Sequence, residues 1–356
     1  MRRRTPMLAV ALAAFCACAG AAAAGTPTYP STAAISVGPR FIPDATLATR
    51  KARLLLAAPS YWGGRYTTPT GEAVTVYVSN SYPQDPALPQ RWANFISTLV
   101  HGSELGLVTA YLAPLGEVEG ICGVQALACY SPSESLLVAP GEAPASDLTA
   151  EAVVMHEYGH HVAQHRSNPP WPAVDWGTKR WASSIQVCRR ARTGMLKPGA
   201  EDIPNYYLNP GEGFAESYRV LNERKLGVPE TPWNVVDDVL YPSPQALTSL
   251  EQDVTAPWTK ATTTRYRGSL TAGARVRTFA LSTVLDGSLQ VDVRASSGVR
   301  LRLRVTTAAG TKVAERTVAA GRRSAVATTI CGQRSYNARV TRVRGAGGFT
   351  LTVTRP

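Results

Sequence analysis

Beyond residue 24 this sequence has no run of eighteen apolar residues, which excludes an internal membrane-spanning helix. Charge is sparse too: 17% of the 356 residues are charged, against 44% apolar. A chain with that balance can bury enough surface to fold, so disorder throughout is excluded. Acidic residues nearly vanish from residues 261–356, which hold 3 of them against 17 basic ones, a net charge of +14. Aromatics are equally scarce there. Tyr266, Phe279, Tyr336 and Phe349 are too few for a base-stacking surface, so nucleic acid is not expected as a partner.

The remainder has another texture. Residues 25–260 carry 17 basic and 22 acidic side chains, net −5, and all seven Trp lie before residue 261. An acidic body with a basic tail implies two modules: 25–260, mixed helix and strand, and 261–356, all strand. Residues 1–24 stand apart from both. Arg2, Arg3 and Arg4 precede an apolar run from Met7 to Phe15, and Ala22-Ala23-Ala24 offers a small-residue cleavage pattern. The expectation is a removed signal peptide, a secreted mature protein and no stable membrane span.

No C-x-x-C spacing occurs, so the cysteines do not suggest a zinc site. Outside the signal, Cys122, Cys129, Cys188 and Cys331 form an even set that suits two disulfides, with three possible pairings. The short separation of Cys122 and Cys129 favours that bond and leaves Cys188 with Cys331.

Ala73 to Val78 is β-branched and reads as a strand, Pro89 to Val100 as a helix, Leu107 to Leu112 and Ser135 to Ala139 as further strands. Asp147 is the expected cap of a helix from Leu148 to about His165, stopped by Asn168-Pro169-Pro170. Helices are also expected over 178–192 and 213–225. After Lys260 the pattern changes to period two, as in Leu301-Arg302-Leu303-Arg304-Val305, with Gly turns at roughly ten-residue intervals. That is the pattern of a small antiparallel sandwich, beginning near residues 258–266.

The chemistry concentrates in His156-Glu157-Tyr158-Gly159-His160, an H-E-x-x-H inside the expected helix. At helical pitch His156 and His160 lie only about 40° apart, so both imidazoles can bind one metal, with Glu157 beside them to reach a water. His161 and His165 project elsewhere and read as hydrogen-bonding or surface residues. A catalytic zinc needs a third protein ligand and an open position. A third histidine at metzincin spacing is missing, because Arg166 stands there; His101 is remote. Glu212 and Glu216, 52 and 56 residues after His160, are i and i+4 on one helix. One can coordinate metal while the other accepts a hydrogen bond from a liganding histidine.

H-E-Y-G-H followed by E-G-F-A-E resembles the gluzincin arm of the zincin metallopeptidases, over roughly residues 60–225. The resemblance implies a zincin-like α+β catalytic domain, followed here by the small all-β antiparallel sandwich. It implies Zn²⁺ held by His156, His160 and Glu212, Glu157 as general base, and Glu216 as the carboxylate behind the first histidine. It also implies a peptide or protein substrate lying along Ser135–Ala139 as an edge strand. The thermolysin-type Asn before the glutamate is replaced by Gly211, and no later histidine fits an oxyanion role, which leaves Tyr206 ahead of Tyr207 for it. The expected function is that of a secreted zinc peptidase. The alternative is a catalytically silent, zinc-stabilised binding protein whose basic C-terminal domain meets an anionic cell-wall polymer.

Overall fold

The β-branched run Ala73–Ser79 alternates half-buried and buried residues and forms β2, paired antiparallel with β1 (Tyr61–Thr67). A computed structural model describes residues 60–332 and 334–356. The signal segment and its cleavage point lie outside the described residues. Strand β3 (Thr109–Ala113) runs parallel to β2, and β5 (Leu136–Pro140) parallel to β3. A three-residue strand, β4 (Cys129–Ser131), folds back antiparallel onto β5 and ends the sheet, whose order is β1-β2-β3-β5-β4.

Helix α1 (Ala87–Thr98) packs on β2, and α2 (Leu115–Cys122) leads to the Cys122–Cys129 disulfide. That bond brings the chain back in time for Cys129 to pair with Val138. This corrects one expectation: Ser135–Ala139 is not the edge of the sheet. Leu136 to Pro140 are all buried, and β4 takes the edge.

The helix carrying the histidines, α3 (Ala150–Gln164), lies against β5. Its cap is Thr149 rather than Asp147. The Thr149 hydroxyl accepts from the Ala152 amide at 3.0 Å, in register with the first turn, where Asp147 stands too early. The expected helix 178–192 is two short ones, α5 (Lys179–Ser184) and α6 (Val187–Arg192), after the four-residue α4 (Ala173–Trp176). Gln186 breaks the run by adopting φ +60°, ψ +40°, which no helix continues. The glutamate helix, α7 (Pro210–Leu226), starts earlier than expected, because Asn209 accepts from the Gly211 amide and Pro210 occupies the first turn. Helix α8 (Pro244–Thr255) closes this part. Its Asp253 accepts from the amides of Arg180 and Trp181 at the start of α5.

From Thr262 the regular elements of the described residues are eight strands joined by turns. Sheets ordered β11-β8-β13-β6 and β10-β9-β12-β7 enclose a separate apolar core that includes Leu289, Val291, Leu301, Leu303, Val340 and Leu351. Their ranges are β6 Thr262–Leu270, β7 Val276–Ser282, β8 Gly287–Ala295 and β9 Val299–Thr307. The other four are β10 Lys312–Val318, β11 Arg323–Ile330, β12 Ser335–Gly345 and β13 Gly347–Arg355.

The strands are fastened to α5 and α6. Cys188 is bonded to Cys331, and the Asp286 amide donates to Ser183 Oγ at 2.9 Å. Arg334 donates to both Asp286 and the Ser183 carbonyl. Both cysteine pairings expected from spacing are therefore present. Among the described residues no helix is long and apolar enough to cross a membrane.

Candidate metal centre

Two long helices, α3 and α7, cross with unusual intimacy because Gly159 faces Ala215. A Cβ on Gly159 would stand 2.8 Å from Ala215 Cα, a separation that real Cβ atoms essentially never show. This approach lets the first turn of α7 reach the histidine face of α3. His156, His160 and Glu212, 1%, 0% and 0% exposed, converge there.

Their facing atoms form a triangle. His156 Nε2 lies 3.1 Å from His160 Nε2 and 3.3 Å from Glu212 Oε2; His160 Nε2 lies 3.5 Å from the same oxygen. A tetrahedral metal with bonds of 2.0–2.1 Å needs its ligand atoms about 3.3 Å apart. The triangle therefore has the dimensions a metal ion requires, and its donor set is two imidazoles and a carboxylate. His101, by contrast, sits 3.8 Å from Glu72 and belongs to no such group among the described residues.

Behind the triangle, His156 Nδ1 is 2.8 Å from Glu216 Oε1. A proton on Nδ1 donated to Glu216 leaves Nε2 directed at the triangle, which fixes the ring and its tautomer. Sequence reasoning missed what holds Glu216. Arg219, 1% exposed, grips both Glu216 oxygens at 2.5–3.2 Å and reaches Glu223 Oε2 at 2.6 Å, and Glu223 accepts from the Thr231 amide. The spacing E-x-x-R-x-x-x-E, with i to i+3 and i to i+4 partners on one helix, was the available signal.

Charge follows geometry. Burial opposes ionisation of Glu216, but Arg219 and His156 outweigh it and hold its pKa down at about 2. Burial likewise opposes ionisation of Glu212, and the two histidines pull it well below the usual carboxylate range. Burial opposes protonation of His156 as well, yet bonds to Glu212 and Glu216 raise it to about 10. Burial lowers His160.

Glu157 is the exception. It is 0% exposed, and among the described residues neither of its oxygens has a hydrogen-bond partner. Burial raises its pKa to about 8, with Glu212 and Glu216 adding to the rise and His156 opposing it. An unsatisfied buried carboxylate is costly, and such groups concentrate where chemistry needs them.

Tyr206 is buried, and its hydroxyl donates to Glu212 Oε2 at 2.9 Å, so it stands at the triangle. Tyr207 lies farther out, edge-on to Tyr206. His161 is hydrogen-bonding, as expected, but fully buried. Its Nε2 donates to the Glu104 carbonyl at 2.9 Å, and its Nδ1 accepts from Tyr130 at 3.0 Å. Both ring nitrogens are thus engaged away from the triangle, so His161 is no ligand; burial pushes its pKa down to about 4. His165 is half-buried, 3.4 Å from the Ser135 hydroxyl.

No protein-family model and no curated protein matches this sequence. Among solved structures, the pre-peptidase C-terminal domain of a collagenase from Bacillus anthracis is 18% identical over 25% of this chain and 87% of that one, at a TM-score of 0.21. A mitogen from Yersinia pseudotuberculosis is 9% identical over 27% and 87%, at 0.22. A 4-O-methyl-alpha-glucuronidase with specificity for decorated arabinogalactans is 11% identical over 58% and 38%, at 0.21. At these TM-scores the likenesses decide neither the fold nor the activity. The buried His-His-Glu group, with dimensions suited to a metal ion, is this chain's own.

Proposed function

We propose that this protein is a secreted zinc-dependent peptidase of the gluzincin type. The observation that carries the reading is the 3.1–3.5 Å triangle of His156, His160 and Glu212 beside a buried carboxylate, Glu157, that has no hydrogen-bond partner among the described residues. Two imidazoles and one carboxylate are a catalytic rather than a structural zinc set, since three protein ligands leave one position open. Bound zinc would supply a Lewis acid that polarises a carbonyl and brings the pKa of water towards about 7.

The rest is the work of this chain's side chains. Glu157, beside His156 on α3, takes the proton from the attacking water and returns it to the departing amine nitrogen. Glu216, gripped by Arg219, orients His156. Tyr206, one bond away at Glu212, would turn its hydroxyl to the developing oxyanion. Two disulfides suit an oxidising compartment such as the cell exterior.

Metal analysis together with peptide-digest profiling tests this. One zinc per chain and cleavage abolished in Glu157→Gln is the expected result. Zinc without cleavage in the wild type would favour the silent, zinc-stabilised binding protein. Full-rate cleavage after complete metal removal would overturn the reading.

A further inference from the structure

On the sheet that holds β9 and β12, exposed arginines line up on the outer face. On β9 the alternation is strict: Val299, Leu301, Leu303 and Val305 are buried, while Arg300, Arg302 and Arg304 are exposed. Three guanidinium groups therefore leave one sheet face in steps of about 6.8 Å, twice the rise per residue. Strand β12 lies beside them and sets Arg339 directly opposite Arg304, and Arg344 directly opposite Arg300. Both are exposed. Adjacent strands are about 4.8 Å apart, and like charges facing each other at that distance destabilise a sheet.

Among the described residues a single acid of the tail stands against them. The tail's three acids are Asp286, Asp292 and Glu315. Asp286 is bonded to Arg334 against α5, and Asp292 to Arg323 on the opposite sheet. Glu315 alone reaches this face, at 3.9 Å from Arg304 on the sheet's outermost strand, β10. Among the described residues Arg300, Arg302, Arg339 and Arg344 form no ion pair.

The residue type is informative as well. Sixteen of the tail's 17 basic residues are Arg, whose planar fork binds phosphate through two parallel hydrogen bonds, where Lys offers a point charge. The outward positions of β9 and β12 between Arg300 and Arg344 carry Asn337 and Thr341 beside the arginines and no aromatic ring. A nucleobase would find nothing to stack on.

We propose that the exposed face of β9 and β12 is a docking surface for a linear phosphodiester polymer without bases, one phosphate per Arg fork along the β9 row. The surface belongs to the second core and uses no residue of the metal centre, so it stands or falls apart from the peptidase reading.

The test uses the full chain and immobilised poly(glycerol phosphate), with binding measured from 0.05 to 0.5 M salt. Two triple variants of equal charge are compared: Arg302→Gln/Arg304→Gln/Arg339→Gln on this face, and Arg265→Gln/Arg267→Gln/Arg294→Gln on the opposite one. All six side chains are exposed, and unchanged thermal unfolding checks that both variants fold. The first triple should weaken binding at least tenfold at 0.15 M and flatten the slope of log K against log salt by about 2, roughly 0.7 for each phosphate no longer neutralised. The second should stay within about twofold of wild type. Equal losses in both variants would reduce the effect to net charge and overturn the proposal, as would no binding by the wild type. Tighter binding of single-stranded DNA at equal phosphate, or of a polygalacturonate chain at equal charge, would overturn the phosphodiester assignment.

Discussion

Gly159 and Ala215 touch almost backbone to backbone, and that contact sets how far Glu212 extends towards the two histidines. A methyl group on Gly159 would meet Ala215 Cα at 2.8 Å and Tyr218 Cβ at 3.2 Å, and neither is the end of a flexible chain. The helices would have to part. Gly159→Ala should therefore lose about 1–3 kcal/mol of stability, the usual range for overpacking, and weaken metal binding at least tenfold as the triangle widens. Gly116→Ala is the control, since its Cβ meets nothing within 4 Å. Unfolding and metal titration of the two variants check this. An unaltered metal affinity in Gly159→Ala would detach the contact from the site.

The ligands and the base separate by experiment. His156→Ala and His160→Ala should each abolish stoichiometric metal, because each removes one corner of a three-cornered site. Glu157→Gln should keep the metal and lose at least about 100-fold in peptidase rate, the scale of a missing general base. Glu212→Ala should weaken metal binding more than Glu216→Ala, since the first removes a donor atom and the second only its support. Zinc content by elemental analysis and rates on a peptide mixture read all five. The opposite order for the two glutamates would exchange their roles.

The centre was largely legible in sequence because helix periodicity does most of its geometry. His156 with His160, and Glu212 with Glu216, needed only the four-residue repeat to share a face. Pairing the two helices needed more than periodicity. Gly159 gives the clue, and it reads as an unremarkable x in H-E-x-x-H until its neighbour across the interface is known. The edge strand was misassigned for a related reason. Ser135–Ala139 has the composition of a strand, but its place in the sheet depends on β4, three residues long and without a period of its own. Arg219 was overlooked because a charge on a helix ordinarily faces solvent. Its 1% exposure is set by Glu216 and Glu223 on the same face.

Removing the Cys188–Cys331 bond should loosen the second core from the first without disturbing the metal. Its sequence separation is 143, so in the unfolded chain it closes a long loop, and its loss in Cys188→Ser/Cys331→Ser should lower stability by about 2–5 kcal/mol. The metal ligands are all in the first core, and Asp286, Ser183 and Arg334 still join the parts. Peptidase rate per zinc should stay within about twofold at 25 °C while the unfolding midpoint falls. A proportional loss of rate and midpoint would mean that the strands also shape the active centre.

Lys179 offers a pH-dependent reading of the same junction. It is 1% exposed, donates to the Pro169 carbonyl at 2.7 Å and sits 5.0 Å from the Trp258 ring centre. Burial lowers its pKa to about 8, only partly offset by Asp286 and Asp253. An unfolded lysine keeps its proton to about pH 10.4. Between these values the unfolded chain binds more protons than the folded one, so this group's contribution to stability rises with pH, by about 1 kcal/mol per unit. Below pH 8 both states are protonated, and the contribution is constant. Other lysines and tyrosines titrate in the same window, so the quantity to measure is the difference in unfolding free energy between wild type and Lys179→Met from pH 7 to 10. That difference should be flat to about pH 8 and then move steadily in favour of the wild type. A flat difference throughout would place the amine's folded pKa near its unfolded value, and a move in favour of Lys179→Met would mean that Asp286 and Asp253 outweigh burial.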